Sequence, residues 1–145
     1  MELELRSSED QFIRFFLDAD IIESSEEIIF SMKGELDGLS FYLPNVEIGF
    51  SNLKEYYEDL LKYRNGNEGE AKLSFGLPGV YMKFYKEGGE RLEKGKYVNN
   101  IVEIEIDNSI SSSWELKSDF IITSFDIFMK QFKLVINKLD KIFGN

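Results

Sequence analysis

The chain has 145 residues, 27 of them acidic and 17 basic, so its formal net charge at pH 7 is −10. This length suits a single domain over residues 1–145, and 43% hydrophobic residues supply enough apolar side chains for one core. Because the chain contains no Cys and no His, disulfides, thiolate nucleophiles, His-based catalytic triads and zinc sites built from Cys or His are excluded.

The N-terminal region is predicted to be extended. Residues 1–6 alternate charged and apolar side chains, and residues 12–17 fit a strand or a helix, of which we favour the strand. Glu9, Asp10 and Arg14 precede the apolar end of this segment, a pattern unlike that of a secretory signal peptide. No apolar stretch reaches the roughly 20 residues of a membrane span. We therefore expect a cytoplasmic protein without a membrane partner.

Residues 26–43 are predicted to form a β-hairpin. Asp37-Gly38 is a two-residue turn signal, and the flanking residues alternate between apolar and polar, which predicts one buried and one exposed face. The predicted buried face pairs Leu36 with Leu39, Gly34 with Phe41 and Met32 with Leu43, and it includes Phe30. The predicted exposed face carries Ser31, Lys33, Glu35, Ser40 and Tyr42.

Two amphipathic helices are predicted, at about residues 52–64 and 124–143. Asn52 with Glu55 forms a capping pattern for the first, and Thr123 with Asp126 for the second. Asn65-Gly66 ends the first helix. The predicted buried positions are Leu53, Tyr56, Tyr57, Leu60 and Leu61 in the first helix, and Phe125, Phe128, Phe132, Val135, Ile136, Leu139, Ile142 and Phe143 in the second.

Four strands are predicted between the helices, because apolar residues recur at every second position. Their predicted buried positions are Ala71, Leu73 and Phe75; Val80, Met82 and Phe84; Val98, Asn100, Val102, Ile104 and Ile106; and Trp114, Leu116, Phe120 and Ile122. The order of elements predicts an α+β fold, in which an antiparallel β-sheet of about six to eight strands packs with the two helices.

The charge is unevenly distributed along the chain. Residues 1–60 contain 15 acidic and 4 basic residues, whereas residues 61–145 contain 12 acidic and 13 basic residues. Such a field repels nucleic acid and accelerates encounter with a basic protein, so we expect a protein partner and no nucleic acid. The alternative is that the acidic surface serves solubility alone.

Two acidic patterns are candidates for catalytic or metal-binding sites. Glu103, Glu105 and Asp107 share one face of a strand, but strand periodicity alone explains them, so no metal ion and no cofactor is predicted. Asp107 followed by Glu115 and Lys117 resembles the motif of restriction-nuclease-like folds, in which two carboxylates bind Mg²⁺ and a lysine helps to activate water. A metal-dependent nuclease is the alternative function, although the anionic chain disfavours it. A small-molecule pocket between sheet and helices also stays open.

Four stretches of the chain carry a resemblance to a known family. Residues 39–50, then the helix Asn52-Leu53-Lys54-Glu55-Tyr56-Tyr57-Glu58-Asp59-Leu60-Leu61, then Gly69-Glu70-Ala71-Lys72-Leu73, look like the small bacterial immunity proteins of the WapI-neutralising type and their relatives. Residues 119–128 look like that family's start of the last helix, and depart from the Asp-Gln-Thr-Tyr-Leu sequence of its closer members.

This resemblance implies a cytoplasmic antitoxin, without enzymatic activity, that binds the C-terminal toxic domain of a polymorphic toxin. A nuclease toxin is basic because it grips phosphate, so an acidic inhibitor would meet it quickly. Exposed Tyr or Phe side chains would serve as anchors. No oligomeric state is specified by the sequence. The predicted partner-binding residues are Asp18, Asp20, Glu23, Glu26, Glu27, Glu35 and Asp37.

Overall fold

The computed structural model describes residues 2–8, 11–17, 21–22, 26–36, 38–76, 79–87, 99–108 and 112–143. These residues form antiparallel sheets and two helices, so the predicted α+β class is confirmed. Eight of their strands have six or more residues, which agrees with the expected six to eight, and a further strand has two. The strands are divided between two sheets, whereas the sequence interpretation arranged them in one.

The first sheet is built from the N-terminal third of the chain. The strands β2 (Gln11–Phe16) and β3 (Ile21–Ile22) lie end to end along one edge of β4 (Glu27–Leu36), where they pair with residues 31–35 and 27–28 respectively. The strand β5 (Leu39–Gly49) pairs with the other edge of β4. The strand β1 pairs with β2 and is the outermost strand on that side. The bounds are β1 Glu2–Ser8, β2 Gln11–Phe16, β3 Ile21–Ile22, β4 Glu27–Leu36 and β5 Leu39–Gly49. The preference for a strand over residues 12–17 is confirmed.

The β4–β5 hairpin has the predicted register, with Leu36 opposite Leu39, Gly34 opposite Phe41 and Met32 opposite Leu43. A Cβ atom at Gly34 would lie 2.6 Å from a ring carbon of Phe41, so this pair requires glycine. Leu39 departs from the prediction because 55% of its surface is exposed. It is the first residue of an outer strand, so neighbouring side chains cover it on one side only.

The strand β5 has one residue more than β4 beyond the end of the predicted hairpin. Met32 lies opposite Leu43, but Phe30 lies opposite Val46, so β5 bulges between these pairs. Asn45, in the bulge, has a φ of 58°, a conformation that Asn tolerates better than most residues. The extra residue changes which positions point inward, from Phe41 before the bulge to Val46 and Ile48 after it.

The second sheet has the strand order β6-β7-β8-β9 and is antiparallel throughout. Its predicted inward residues are buried where they are described, except Asn100 and Ile106, which are half-buried. The side chains of Val98 and Trp114 lie outside the described residues. Ile122 does not continue the last strand: it is the first residue of the following helix. The bounds are β6 Glu70–Phe75, β7 Val80–Glu87, β8 Asn99–Asn108 and β9 Ser112–Phe120.

Both predicted helices are present, but the predicted caps are wrong. The helix α1 spans Phe50–Arg64 and α2 spans Ile122–Ile142; their N-cap residues, Gly49 and Ile121, make no side-chain capping bond. Each helix starts directly where a strand ends, so the end of the strand sets the first turn ahead of Asn52 and Thr123. The predicted buried stripes agree with the structure, except that Ile142 is 40% exposed.

Side chains from both sheets and both helices meet in one buried cluster. Phe75 of β6 is central to it, since its ring centroid lies 5.5 Å from that of Phe30 and 6.3 Å from that of Phe15 in the first sheet. The same ring lies 5.9 Å from Tyr56 of α1. One backbone hydrogen bond also joins the sheets, from the N–H of Gly76 to the carbonyl of Glu47 at 3.0 Å. The outward faces of the two sheets therefore belong to one packed unit.

Candidate protein-binding surface

The predicted partner-binding residues do not form one site. Asp18, Asp20, Glu23 and Asp37 lie outside the described residues. Glu26 and Glu27 are adjacent at the start of β4, whereas Glu35 is near its other end. Glu35 is eight positions after Glu27 along the strand, which is a distance of about 26 Å. The structure therefore brings the first two together and leaves Glu35 apart.

Glu47 joins Glu26 and Glu27, although the sequence interpretation did not select it. It lies opposite Ile29 in the β4–β5 ladder, and Glu27 lies opposite Gly49, so both carboxylates belong to the outward face. Glu27 and Glu47 line a shallow cavity of about 180 Å³ together with Asn52 of α1. The signal for Glu47 was the apolar pair Val46 and Ile48 on either side of it, although strict alternation continued from Leu43 would have placed Glu47 on the buried face.

The start of α1 lies against these acidic residues. The N–H of Phe50 donates to the carbonyl oxygen of Glu26 at 2.8 Å, which ties the first turn of the helix to the beginning of β4. Glu26 has a φ of 52°, so the backbone turns sharply there before the strand begins. Helix N-termini carry partial positive charge, and this favours nearby carboxylates. The start of α1 is therefore held beside Glu26 and Glu27.

The helix α1, which starts beside these residues, carries three more acidic residues. Its buried side faces the core through Phe50, Leu53, Leu60 and Tyr63, so Glu55 and Glu58 are on the opposite side, where they are exposed. We define the acidic surface by its six carboxylates. They are Glu26, Glu27, Glu47, Glu55, Glu58 and Asp59.

None of these six carboxylates forms an ion pair within the described part of the chain. Lys54, a basic residue of the same helix, points elsewhere: its Nζ is 3.9 Å from Asp140 of α2 and 4.5 Å from the ring centroid of Phe50. Lys62 is the exposed basic residue that follows Glu58 by one turn. The acidic surface therefore retains most of its negative charge.

The β1–β2 side of the same sheet is different, because its charges neutralise one another. Glu4 accepts hydrogen bonds from the Nε of Arg6 at 2.8 Å and the Nε of Arg14 at 2.5 Å. Burial raises the pKa of Glu4, but the two arginines outweigh this and hold the pKa below its usual value. Glu2 is 3.8 Å from Arg14 as well. The arginines of the first 60 residues are thus engaged away from the acidic surface.

The hairpin tip presents exposed apolar side chains on both of its faces, with Tyr42 on the face of Glu35 and Leu39 on the opposite face. Tyr42 is 62% exposed and lies opposite Lys33 in the ladder, and Leu39 is 55% exposed. Glu35 lies opposite Ser40, and the two line an open cavity of about 430 Å³ with Tyr42. Exposed tyrosines are frequent anchors of protein interfaces. The tip therefore has the composition of a contact region.

The residues of the alternative nuclease site share a face by register. In the ladder, Glu103 lies opposite Lys117, Glu105 opposite Glu115, and Asp107 opposite Ser113. The side chains of Asp107 and Glu115 lie outside the described residues. Within the residues that the structure does describe, no group of three acidic side chains is arranged to hold a metal ion.

Comparisons with protein-family models, with curated proteins and with solved structures find no match to this chain. The resemblance to immunity proteins accordingly stays a prediction. Among the described helices, neither combines the length and the apolar character that crossing a bilayer requires.

Proposed function

We propose that the protein is a non-catalytic inhibitor that binds a basic protein, in the manner of an immunity protein that neutralises a toxin domain in the cytoplasm. The observation that carries the proposal is the acidic surface, whose carboxylates lack ion-pair partners among the described residues. A surface of this kind accelerates encounter with a protein of opposite charge, and it also repels wrong partners.

The hairpin tip supports the same proposal from a different property. Charge steers encounter, but the lifetime of a complex depends on buried anchors near the centre of its interface. Tyr42 is exposed on the outward face of the hairpin, the face to which Glu27 and Glu47 belong. A partner that covers this face would meet charge at one end and the tyrosine anchor at the other.

The first experiment is co-expression with the C-terminal domain of the protein encoded by the adjacent gene. Rescue of growth from that domain's toxicity, with co-purification of the two proteins, supports the proposal. Toxicity that is unchanged, with no complex on purification, contradicts it.

The second experiment tests the acidic surface with that domain as the binding probe. Reversal of Glu26, Glu27 and Glu47 to Lys should slow association about tenfold at about 50 mM salt and flatten its salt dependence. The matched control reverses Glu87, Glu105 and Asp119 on the second sheet, which are exposed and change the net charge equally. If the two triple variants slow association to the same extent, the location of the charge is irrelevant and the acidic surface is not the binding site.

The register of Asp107, Glu115 and Lys117 keeps the nuclease as a second candidate. Purified protein would then cleave DNA or RNA when Mg²⁺ is added, and Asp107→Asn would abolish the cleavage. An inhibitor without catalytic activity would leave the nucleic acid intact under the same conditions.

A further inference from the structure

The edge of β5 near the hairpin tip carries backbone groups without a strand partner in the described part of the chain. The strand pairs with β4 on one side, through a ladder that the two-residue turn of the hairpin closes. Residues that flank such a turn exchange both backbone hydrogen bonds, and bonded pairs then alternate along the ladder. Every second residue from Leu39 onward therefore bonds to β4. Ser40 and Tyr42 lie between them, so their N–H and C=O groups point away from β4.

Other edges of the two sheets are closed. On β1, the N–H of Glu4 donates to Oε1 of Gln131, because α2 lies along that edge. On β6, the N–H of Ser74 donates to the hydroxyl oxygen of Tyr56 at 3.1 Å. The far end of β5 is closed as well, since the carbonyl of Glu47 accepts a backbone hydrogen bond from the residue that follows β6. Among the described strands, the edge at the hairpin tip thus contrasts with three closed positions.

The residues of the open edge also lack the usual protection against strand addition. Charged side chains, lysines in particular, commonly deter another strand from pairing with an exposed edge. Residues 39–43 read Leu-Ser-Phe-Tyr-Leu, without a charge and with two aromatic residues, which favour strands. Pro44, which has no N–H, and the bulge at Asn45 end the regular edge. Five residues, or about 17 Å of strand, are left for pairing.

Side chains beside this edge provide contacts for both faces of an added strand. On the inward face, Leu39 is exposed and Leu43 is half-buried, so apolar residues of a neighbouring strand would cover them. On the outward face, the exposed ring of Tyr42 adjoins an open cavity that Ser40 and Glu35 also line. The edge therefore suits a strand with one apolar and one polar side.

The charge near the edge indicates what occupies it. Glu47 of the acidic surface is on the same strand as Tyr42, and their ladder partners on β4 are four positions apart, or about 13 Å. A basic protein whose strand paired with residues 39–43 would hold its neighbouring residues close to the carboxylates. A second copy of this chain is disfavoured, because both copies carry a net charge of −10 and repel each other.

We propose that the basic partner adds one of its strands to the edge of β5, where the N–H and C=O groups of Ser40 and Tyr42 make about four backbone hydrogen bonds with it. The inference rests on the proposed function, because it takes the occupant to be the protein that the acidic surface attracts. The added strand has apolar residues on its inward side, against Leu39 and Leu43. It has Lys or Arg at the end nearest Glu47.

Amide hydrogen exchange measured for each residue by NMR tests the backbone pairing, with the C-terminal domain from the adjacent gene as the probe. In the free protein, the amides of Phe41 and Leu43 should be protected by β4, whereas those of Ser40 and Tyr42 should exchange fast. Saturation with the domain should slow exchange at Ser40 and Tyr42 at least about 100-fold. A partner that contacts side chains alone would leave these two amides fast.

The outcomes separate this inference from the proposed function. A complex in which both amides stay fast overturns the strand addition and leaves the inhibitor function standing. The absence of any complex contradicts the inhibitor function, and the strand addition with it. Protection of Ser40 and Tyr42 in the free protein that rises with its concentration, together with a dimeric mass in light scattering, would assign the edge to a second copy and overturn the proposal.

A proline variant tests the same edge by affinity. Ser40→Pro removes an N–H that points away from β4, so the hairpin ladder retains its hydrogen bonds, and edge positions tolerate proline. It should weaken binding of the domain at least about tenfold, because it removes a backbone donor and obstructs the added strand. The matched control Ser40→Ala keeps the N–H and should bind as the native chain does. Equal binding by the two variants overturns the proposal; if urea unfolding shows that Ser40→Pro is destabilised, the exchange experiment decides.

Discussion

The outward faces of the two sheets carry similar residue types but differ in how their charges are arranged. On the second sheet, Lys83 lies between Lys72 and Glu103 in one cross-strand row, and its Nζ is 3.2 Å from Glu70. Lysines there also lie over aromatic rings, as Lys72 does over Tyr81. On β4, β5 and α1, by contrast, the six carboxylates of the acidic surface have no such partners among the described residues.

This difference shows how a charge gradient along a sequence becomes a charge gradient on a surface. The first sheet and α1 use residues up to Arg64, whereas the second sheet and α2 use residues from Glu70 onward. Because no strand of either sheet is exchanged with the other, the acidic part of the chain is not mixed with the balanced part. The inner faces share one core, so the two unlike surfaces are held on a single body.

The largest expected effect tests whether the two surfaces belong to one cooperative unit. Phe75 is 5% exposed and contacts rings of the first sheet and of α1. Phe75→Ala should lower the free energy of unfolding by about 3–5 kcal/mol, because it leaves a cavity where the sheets meet. Urea unfolding followed by far-UV circular dichroism and by aromatic fluorescence measures this, and both probes should shift together. Two separate transitions would mean that the faces belong to independent units.

An effect of intermediate size concerns Tyr63, which links α1 to the second sheet. Its side chain is fully buried and its hydroxyl donates to Oδ1 of Asn100 at 2.8 Å. Burial raises the pKa of Tyr63 to about 12. The folded pKa lies above the unfolded value near 10, so this stability is complete below pH ~10 and is lost as the pH rises through ~12, at a cost of about 2–3 kcal/mol.

Urea unfolding between about pH 8 and pH 12 measures this alkaline loss. Tyr63→Phe should cost about 1 kcal/mol at neutral pH through the lost hydrogen bond, and it should flatten the alkaline loss. If the variant retains the whole alkaline decline, another tyrosine is responsible. Among the described residues, burial also raises the pKa of Tyr57 and of Tyr85.

The smallest expected effect compares the two faces directly. Replacement of Glu26, Glu27 and Glu47 by Gln should raise the free energy of unfolding by a few tenths of a kcal/mol at low salt, because like charges are relieved. Glu70→Gln on the second sheet should lower it by about 0.2–1 kcal/mol, because Lys83 loses its ion-pair partner. Thermal unfolding at low and high salt measures both. If the free energy of unfolding changed in the same direction in both variants, the two faces would not differ in how their charges are arranged.

Local features of the fold could be predicted because short-range patterns determine them. Strand alternation with the Asp37-Gly38 turn was sufficient for the register of the β4–β5 hairpin, and helical spacing was sufficient for the core face of α2. The helix starts were not predictable from capping residues, since Gly49 and Ile121 lie at strand ends whose positions depend on sheet pairing. The division into two sheets depends on contacts between distant residues, which alternation does not encode.

The candidate site was predictable in part for the same reason. Glu26 and Glu27 were selected from charge density, and the structure brings them together with Glu47. Glu35 was grouped with them because it is close in sequence, but strand geometry separates it.

The bulge in β5 has a consequence for the evolution of this surface. Successive side chains of a strand point to opposite faces. The extra residue at Asn45 therefore shifts this alternation by one position for all later residues of β5. If the same residues paired in an unbroken ladder from Leu43 onward, Glu47 would point at the core and Val46 and Ile48 would point toward water, with no change in composition. The outward position of that carboxylate thus depends on the bulge as much as on the residues of the strand.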